Sequence, residues 1–254
     1  MKNMAQIIAI AVLLSQVLLP SNSFAAAPSE DPLESVNRVT FEFNRITDRW
    51  FLRPIAKTYS VLAPDFVQRG IGNALRNLRD VNYAVNAALQ GRFSDAGKNT
   101  ARVAVNSTVG LGGLFDVATR SGIHGERADF GQTLAALRIP SGPYIVIPLL
   151  GPSTVRDGIG FGVDAVALSV PSHISSSDAR LAIWGTAFVH ARAGLLSTDE
   201  LLTGDRYVFM REAYLQRRER FLEGDKADGV SDFDDFSDFE DFHSFGEAGS
   251  DDDL

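Results

Sequence analysis

The sequence predicts an all-α protein, and three observations support this fold class. Apolar residues recur at steps of three and four along most of the chain, whereas no stretch alternates between apolar and polar residues in the manner of paired strands. Glycine and proline residues mark short joints between these segments. The 254 residues are 45% hydrophobic and 22% charged, which excludes a wholly disordered or fibrous chain. We expect a single helical domain at residues 26–224.

Residues 1–25 have the features of a secretory signal peptide. Lys2 precedes an uncharged run over residues 7–19, and small residues at positions 23 and 25 fit a cleavage site. The run has 13 residues, whereas a helix needs about 20 to span a bilayer. We therefore expect an exported protein without an ordinary transmembrane helix, and an uncleaved membrane anchor is the alternative.

The first predicted helix begins at Asp31, which suits an N-cap, with Pro32 in the first turn. Its end is predicted at Arg53-Pro54, because a proline disfavours helix at the residue before it. Apolar residues at steps of three and four form one stripe between these ends: Val36, Val39, Phe43, Ile46 and Trp50. This pattern indicates an amphipathic helix with one apolar face.

Cap and stop signals predict the remaining helices. In chain order they are two helices between Pro64 and Gln90 that break near Asp80, one from Ser94 to Thr108, a short turn in Leu114–Ala118, one from Asp129 to Leu137, one from Thr154 to Val170, one from Asp178 to Leu196, and one that begins at Gly204-Asp205. Six glycines are candidates for hinges or for close helix approach: Gly110, Gly112, Gly113, Gly158, Gly160 and Gly162.

The segment Gly142–Pro152 differs from the rest of the chain. It is strongly apolar, yet it contains three prolines and two glycines, so neither a regular helix nor a central strand is expected there. An irregular loop that stays apolar should be buried against protein or lipid. We therefore predict a buried apolar loop with these side chains: Tyr144, Ile145, Val146, Ile147, Leu149 and Leu150.

The net charge of −8 combines two unlike parts of the chain. Residues 225–254 contain 12 acidic residues and one lysine, whereas residues 1–224 contain 23 basic and 20 acidic residues. Of those 23 basic residues, 20 are arginines, which suit phosphate contacts, lipid headgroups included. A GC-rich genome is the alternative explanation for the arginines. A body this weakly basic does not favour nucleic acid, and we expect no nucleic-acid partner.

The acidic segment 225–254 is predicted to be a disordered tail, because dense like charge packs poorly. Phenylalanine recurs at every third position among its Asp, Glu and Ser residues: Phe233, Phe236, Phe239, Phe242 and Phe245. The tail is either a solvated segment that aids solubility or a partner-binding segment with docking aromatics. The sequence leaves both interpretations open.

No constellation of residues indicates an enzyme. The four histidines never fall at the spacing of metal ligands, and there is no G-x-S-x-G nucleophile elbow. The absence of cysteine excludes a thiol nucleophile, a thiolate metal site and a disulfide. Lone carboxylates near helix starts, such as Asp157, Asp164 and Asp178, are more typical of caps than of acid–base catalysts. We expect no catalytic residue, metal or cofactor.

A series of motifs resembles the MlaA (VacJ) family of outer-membrane phospholipid-removal lipoproteins over about residues 30–223. The opening motif is carried by Asp31, Pro32, Asn37, Arg38, Phe41, Phe43 and Asn44. A later motif is carried by Gly142, Pro143, Arg156 and Asp157. Many such motifs in order make this resemblance specific.

The resemblance implies a ring-like helical domain in the outer membrane of Gram-negative bacteria, often beside trimeric porins. Proteins of this family remove mislocalised phospholipids from the outer leaflet through an amphipathic channel. The lipid passes to a soluble periplasmic carrier, and lipid asymmetry is maintained. Gly142–Pro152 would then contribute to the wall or gate of the channel, and the six glycines would let helices bend or pack closely.

One departure from the family concerns attachment to the membrane. Family members commonly carry a lipid-bearing cysteine after the signal peptide, and this sequence has no cysteine. We therefore expect no lipidation and attachment through helix faces, such as the apolar stripe, or through a partner. Two alternatives from other classes are an exported structural or adhesion protein that acts through the tail, and a lipid hydrolase.

Overall fold

The computed structural model describes residues 31–197 and 204–223, and nearly all regular structure in these ranges is helical. The α-helices are α1 (Glu34–Thr47), α2 (Arg53–Leu62), α3 (Asp65–Leu89), α4 (Phe93–Thr108), α5 (Val117–Arg120), α6 (Phe130–Ala136), α7 (Val155–Val163), α8 (Ser177–Gly194) and α9 (Arg206–Glu223). The other elements are two π turns (Asp48–Leu52 and Asp164–Leu168), a 3-10 turn (Val170–His173) and two strands, β1 (Tyr144–Ile147) and β2 (Gly151–Thr154). The all-α class is confirmed, while the predicted signal peptide at 1–25 and tail at 225–254 lie outside the described residues.

The apolar segment predicted to be an irregular loop is a β-hairpin. Strands β1 and β2 pair antiparallel, with Val146 opposite Pro152. The N–H of Val146 donates to the side chain of Asn37 and not to β2. Pro152, which lies opposite Val146, therefore does not need an N–H for the pairing of the strands. The prolines argued against a central strand, but a two-stranded hairpin consists of edges, where proline is tolerated.

The first helix differs from the prediction at both ends. Leu33, and not Asp31, is the N-cap of α1, and no side chain caps the helix. The chain also stays helical past the predicted stop, because the π turn Asp48–Leu52 joins α1 to α2. The N–H of Arg53 bonds to the carbonyl five residues back, which widens the helix. Pro54 then occupies an early position in α2, where its missing N–H is tolerated.

Helix α3 is a single element of 25 residues, and the predicted break near Asp80 is wrong. Asp80 is 3% exposed, and its carboxylate accepts a hydrogen bond from Nε of Arg102 at 3.0 Å. Asp80 therefore forms a buried ion pair with another helix and does not mark a break in α3.

Two other predicted boundaries are shifted along the chain. The short turn predicted in Leu114–Ala118 is helix α5, which begins after Asp116 and is capped by that residue. Helix α8 is capped by Ser176, whereas the predicted cap, Asp178, lies in its first turn. In both cases a nearby oxygen-bearing side chain gives the better capping geometry.

The caps of α6 and α7 are confirmed. Asp129 and Gln132 form a reciprocal capping box at the start of α6. Thr154 accepts a hydrogen bond from the third N–H of α7 at 3.2 Å. The helical run that follows ends with the π turn at Leu168, two residues before the predicted end at Val170.

The interior of the described residues is mostly polar. Eight hydrophobic residues are buried there, half of them alanine, against fifteen polar or charged residues. By contrast, 29 large hydrophobic side chains are exposed, including Val39 at 72% and Trp50 at 70% on the predicted stripe of α1. Exposed apolar side chains in this number are typical of a surface that contacts a membrane or another protein.

Candidate functional site

Helix α1 holds the hairpin through two asparagine side chains. Asn37 donates to the carbonyl of Tyr144 at 3.0 Å and accepts from the N–H of Val146 at 2.9 Å. Two helical turns later, Asn44 donates to the carbonyl of Ile147 at 3.0 Å and accepts from the N–H of Leu149 at 2.7 Å. Each amide therefore supplies a donor and an acceptor to the hairpin backbone, as a neighbouring strand would.

One face of β1 is anchored in the interior. Tyr144 and Val146 are buried, and they form a cluster with Tyr207 of α9. The ring of Tyr144 lies 6.2 Å from that of Tyr207 and 6.1 Å from that of Tyr214, and Phe41 lies 5.7 Å from Tyr207. The two pairs with Tyr207 are edge-on and the pair with Tyr214 is tilted, and such aromatic contacts add to the stabilisation from burial. The inner side chains of the hairpin are thus fixed by α1 and α9.

The other predicted side chains of the segment divide into two groups. Ile145 and Ile147 are half-buried and reach over Gly158 of α7, where an added Cβ would lie 3.2 Å from Cδ1 of Ile147. Leu149 and Leu150 lie at the hairpin turn and are exposed. Of the six predicted channel or gate residues, four pack against the protein and the two at the turn face its surroundings.

An ion-pair network beneath the hairpin, which we call the Arg218 cluster, consists of Arg218, Asp129, Asp157, Arg156 and Tyr214. Nη2 of Arg218 lies 2.9 Å from Oδ1 of Asp129 and 2.9 Å from Oδ1 of Asp157. The hydroxyl of Tyr214 donates to Asp157 at 3.0 Å. The cluster joins α9 to α6 and α7, so the motif residues Arg156 and Asp157 hold the elements together.

The charges of the Arg218 cluster perturb its titrating groups. Burial alone would raise the pKa of Asp157, but the guanidinium groups of Arg218 and Arg156 hold it below its usual value. Burial and the neighbouring carboxylate of Asp157 raise the pKa of Tyr214 to about 12. Asp157 therefore stays ionised at neutral pH and acts as a structural anion.

A second network, the Arg102 cluster, consists of Arg102, Asp80, Asp116 and Asn106. Nε of Arg102 pairs with Asp80 at 3.0 Å and its Nη2 lies 3.3 Å from Asp116. Asn106 donates to Asp116 at 3.1 Å and accepts from the N–H of Ala118 at 2.9 Å. Burial raises the pKa of Asp80, whereas hydrogen bonds and Arg102 outweigh burial at Asp116 and lower its pKa to about 2. This cluster joins α3, α4 and α5.

Four of the six hinge-candidate glycines lie where backbone or side chains pack closely. A Cβ on Gly110 would clash with the carbonyl oxygens of Phe115 and Asn106, and one on Gly160 would clash with the backbone of Gly131. The others are Gly113, which has a φ of +90° and faces Asn77, and Gly158, described above. These positions favour close approach over bending.

The remaining two glycines have open space where a Cβ would lie. Gly112 adopts a φ of +72°, in the left-handed region that favours glycine. Gly162 has nothing within 4 Å of an added Cβ.

Of the other motif residues near the start of the chain, some contact the rest of the protein and others are exposed. Arg38 pairs with Glu34 at 2.7 Å and with Asp205 at 2.9 Å, and its guanidinium carbon lies 4.5 Å from the ring centre of Tyr207. Phe43 is half-exposed on the stripe. The motif residues that precede the helix, Asp31 and Pro32, lie before its N-cap.

A cavity of about 880 Å³, which we call the arginine cavity, opens between α1, the π turn after it and the start of α9. Six arginines line it: Arg38, Arg45, Arg49, Arg53, Arg192 and Arg206. Three carboxylates share the wall: Glu42, Asp48 and Asp205. Phe41 and Tyr207 also line the cavity, so the residues that pack against β1 lie next to it.

An apolar groove of about 640 Å³ lies on α2 and reaches Val189 of α8. Its other lining residues are Pro54, Ile55, Thr58, Tyr59, Leu62 and Ala63. Arg53 lines the arginine cavity and the next residue lines this groove, so polar and apolar recesses meet at the start of α2. Within the described residues, no helix combines the length and hydrophobicity needed to cross a membrane.

The sequence indicated Asn37, Asn44 and Arg156 only as motif residues, and Asp157 also as a candidate cap, and it gave no sign of their contacts. The Arg102 cluster was not predicted either, because its members lie on or beside three different helices. The spacing of Asn37 and Asn44 was a usable signal. Residues seven positions apart lie two turns apart on one helix face, and here that face lies away from the apolar stripe.

Comparison with known proteins supports one family. The sequence profile of the family "MlaA lipoprotein" matches residues 29–221. The "Intermembrane phospholipid transport system lipoprotein MlaA" of Escherichia coli (strain K12) is 31% identical over 205 residues, which are 76% of this chain and 79% of that protein. The protein of the same name from Haemophilus influenzae is 33% identical over 192 residues, which are 73% of this chain and 76% of that protein.

A solved structure agrees with these matches. It is described as the "Structural basis for maintenance of bacterial outer membrane lipid asymmetry" and superposes with a TM-score of 0.67 at 33% identity. The match covers 76% of this chain and 99% of that one. A family profile that spans most of the chain, named relatives and a shared fold agree, and the chain therefore belongs to the MlaA lipoprotein family.

Proposed function

We propose that the protein takes part in intermembrane phospholipid transport, in which it removes mislocalised phospholipids from the outer leaflet of the outer membrane and so maintains lipid asymmetry. The observation that carries this proposal is the reversed distribution of polarity, with apolar side chains outside and polar ones inside. The names of the relatives and the subject of the matching structure support it.

The exposed apolar side chains explain how such a protein stays in a membrane. Each large side chain that hydrocarbon covers contributes about 1.5–3 kcal/mol relative to exposure to water. The stripe of α1 lies on a helix that also carries Arg38 and Arg45, so that helix is amphipathic and suits an orientation in the membrane plane. The sequence contains no cysteine, and we infer that this surface takes the place of a lipid anchor.

The two recesses suit the two halves of a phospholipid. Guanidinium groups in the arginine cavity match a phosphate, and the groove on α2 is lined mainly by apolar side chains that match an acyl chain. The hairpin packs on Tyr207, which lines the cavity, so Gly142–Pro152 forms one wall of the lipid path in this proposal. The exposed turn residues Leu149 and Leu150 would act as its gate.

The remaining parts of the proposal concern delivery. We infer that residues 1–25 direct export, that the helical domain of residues 26–224 receives the lipid, and that a soluble periplasmic carrier accepts it. A trimeric porin is the neighbour we propose in the membrane. Transfer of an intact lipid needs no bond cleavage, so this function assigns no catalytic role to any residue.

The decisive experiment combines fractionation with lipid extraction. We expect the full-length protein in outer-membrane fractions, with phospholipid bound after purification in detergent. We also expect that deletion of its gene raises outer-leaflet phospholipid and sensitivity to detergent. A protein absent from membranes and free of bound lipid would contradict the proposal, and release of fatty acid by the pure protein would favour a hydrolase.

A matched pair of variants tests the surface. Val39→Asp places a charge in the exposed apolar stripe of α1, and Ser121→Asp places the same charge at an exposed position outside α1. We expect Val39→Asp to lower the protein recovered with membranes about tenfold, because a charge in hydrocarbon costs on the order of 1–3 kcal/mol near a membrane surface. Ser121→Asp should behave like the wild type, and equal losses in both variants would contradict the assignment of the stripe.

A further inference from the structure

We propose that the arginine cavity binds the phosphate of a phospholipid headgroup and prefers acidic phospholipids over zwitterionic ones. This inference rests on the proposed function, because it names the lipid class that the transport site selects. It starts from a charge imbalance: six arginines and three carboxylates line the cavity, which leaves its wall with a net charge of +3.

The carboxylates of the wall are already engaged with arginines. Asp48 accepts hydrogen bonds from Nε and Nη2 of Arg192 at 2.6 and 2.9 Å. Asp205 pairs with Arg38 at 2.9 Å and also accepts hydrogen bonds from the N–H groups of Tyr207 and Val208. These pairs fix the wall in place, and their carboxylates are not available to balance further cations.

The third carboxylate is engaged in the same way. Glu42 pairs with Arg45 three residues along α1. Arg49 and Arg206 have exposed side chains and make no ion pair with any residue that the structure describes. The excess positive charge of the cavity therefore includes two guanidinium groups that a ligand can reach.

A phosphate diester suits these guanidinium groups. Guanidinium binds phosphate oxygens through two parallel hydrogen bonds, and it does so without a large loss of hydration. The volume of about 880 Å³ lies within the range of small-molecule sites, so a headgroup fits. The stripe on the same helix would keep the acyl chains in hydrocarbon while the headgroup occupies the cavity.

The preference follows from the net charge of the headgroup. Phosphatidylglycerol carries one negative charge, whereas the amine of phosphatidylethanolamine balances its phosphate and would be repelled by the arginines. An exposed ion pair contributes up to about 1 kcal/mol, so we expect a preference of about fivefold. Salt weakens such interactions, and the preference should decline as ionic strength rises.

The test uses the full chain purified in detergent after incubation with vesicles of equimolar phosphatidylglycerol and phosphatidylethanolamine. Mass spectrometry of the bound lipid gives the selection ratio. The Arg49→Gln/Arg206→Gln variant should bring the ratio close to the vesicle composition. Arg120→Gln/Arg220→Gln removes the same charge from exposed sites outside the cavity and should keep the wild-type ratio.

Competition separates a lipid headgroup from a soluble phosphate. Inorganic phosphate or glycerol phosphate at the concentration of the lipid should leave the selection ratio unchanged. Displacement of lipid by either would overturn the headgroup assignment in favour of a soluble anion. Bound lipid in the same ratio as the vesicles, or a preference that survives Arg49→Gln/Arg206→Gln, would overturn the inference and leave the transport proposal intact. A protein that binds no lipid at all would overturn both.

Discussion

The Arg102 and Arg218 clusters use the same chemistry in two different places. Each places one arginine between two aspartates: Asp80 and Asp116 in the first, Asp129 and Asp157 in the second. Arg102 reaches partners 22 and 14 residues away, whereas Arg218 reaches partners 61 and 89 residues away. The first therefore stabilises neighbouring helices, and the second ties α9 back to the middle of the chain.

Solvent access also separates the two clusters. The side chains of Arg102 and Asp80 are each 4% exposed, while Asp129 in the Arg218 cluster is 31% exposed. A buried charge that loses its partner costs more than one that water can reach. The polar interior therefore contains a stronger and a weaker ion-pair cluster, and the weaker one lies beneath the hairpin.

The largest effect is expected for Arg102→Met, which removes the cation paired with the buried Asp80 and leaves Asp116 with Arg76 at 3.6 Å. Breaking a buried pair of this kind costs about 3–5 kcal/mol. Urea unfolding of the detergent-solubilised protein measures the loss, and hydrogen exchange should locate it in α3, α4 and α5. Arg102→Lys is the control, because it keeps the charge and should lose less. A change below about 1 kcal/mol would contradict the central role of this pair.

Arg218→Met should have a smaller and differently placed effect. Water can partly solvate Asp129, so we expect a loss of about 2–3 kcal/mol. The faster hydrogen exchange should appear in α9, α6 and α7, with α3 and α4 unchanged. Faster exchange spread evenly over both regions would show that the clusters are not independent.

Substitution of an asparagine that bonds to the hairpin tests how much these bonds stabilise it. The hairpin lies above the Arg218 cluster. Asn37→Ala leaves the buried backbone of Tyr144 and Val146 without its side-chain partner, and should cost about 1–3 kcal/mol. Asn44→Ala affects an exposed turn and should cost about 0.5–1.5 kcal/mol. Urea unfolding of the two variants gives the order, and a larger loss for Asn44→Ala would be inconsistent with these burials.

The smallest expected effect is that of acid on stability, and it should differ between the two clusters. The pKa of Asp157 is lowered in the folded protein, so its stabilising contribution is present above about pH 4 and is lost as the pH falls. In the Arg102 cluster the lowered pKa of Asp116 has the same sign, but the raised pKa of Asp80 has the opposite sign and partly offsets it.

We therefore expect acidification from about pH 5 to about pH 3 to speed hydrogen exchange more in α9 than in α3. The measurement is exchange monitored by mass spectrometry at both pH values, corrected for intrinsic rates. Asp157→Asn should reduce this dependence in α9 and leave that of α3 unchanged. Equal acceleration in both helices would contradict the assignment.

The sequence predicted correctly the helix caps, which depend on residues close together in the chain. Asp129 and Thr154 cap helices through N–H groups within three residues, and both were predicted correctly. Asp80 was misread because its partner, Arg102, lies on another helix and no local signal separates a buried anion from a helix break. The hairpin was missed for a related reason, since proline penalises strands only where a ladder bond is required.

The apolar stripe of α1 shows a second limit of sequence reasoning. Its spacing predicted an apolar face correctly, but periodicity is the same whether a protein core or lipid covers that face. The exposure of Val39 and Trp50 shows that no described part of the chain covers them. The arginine cavity lay beyond prediction too, because it joins residues of α1 to Arg192 and to the start of α9.

The π turn at Asp48–Leu52 has a consequence for variation in chain length. The wider turn holds its extra residue without rotating the flanking helices, whereas a further residue wound as regular helix would rotate α1 against α2 by about 100°. Asn37 and Asn44 would then turn away from the hairpin, and the stripe would turn with them. The length of this segment should therefore vary far less among relatives than its side chains do.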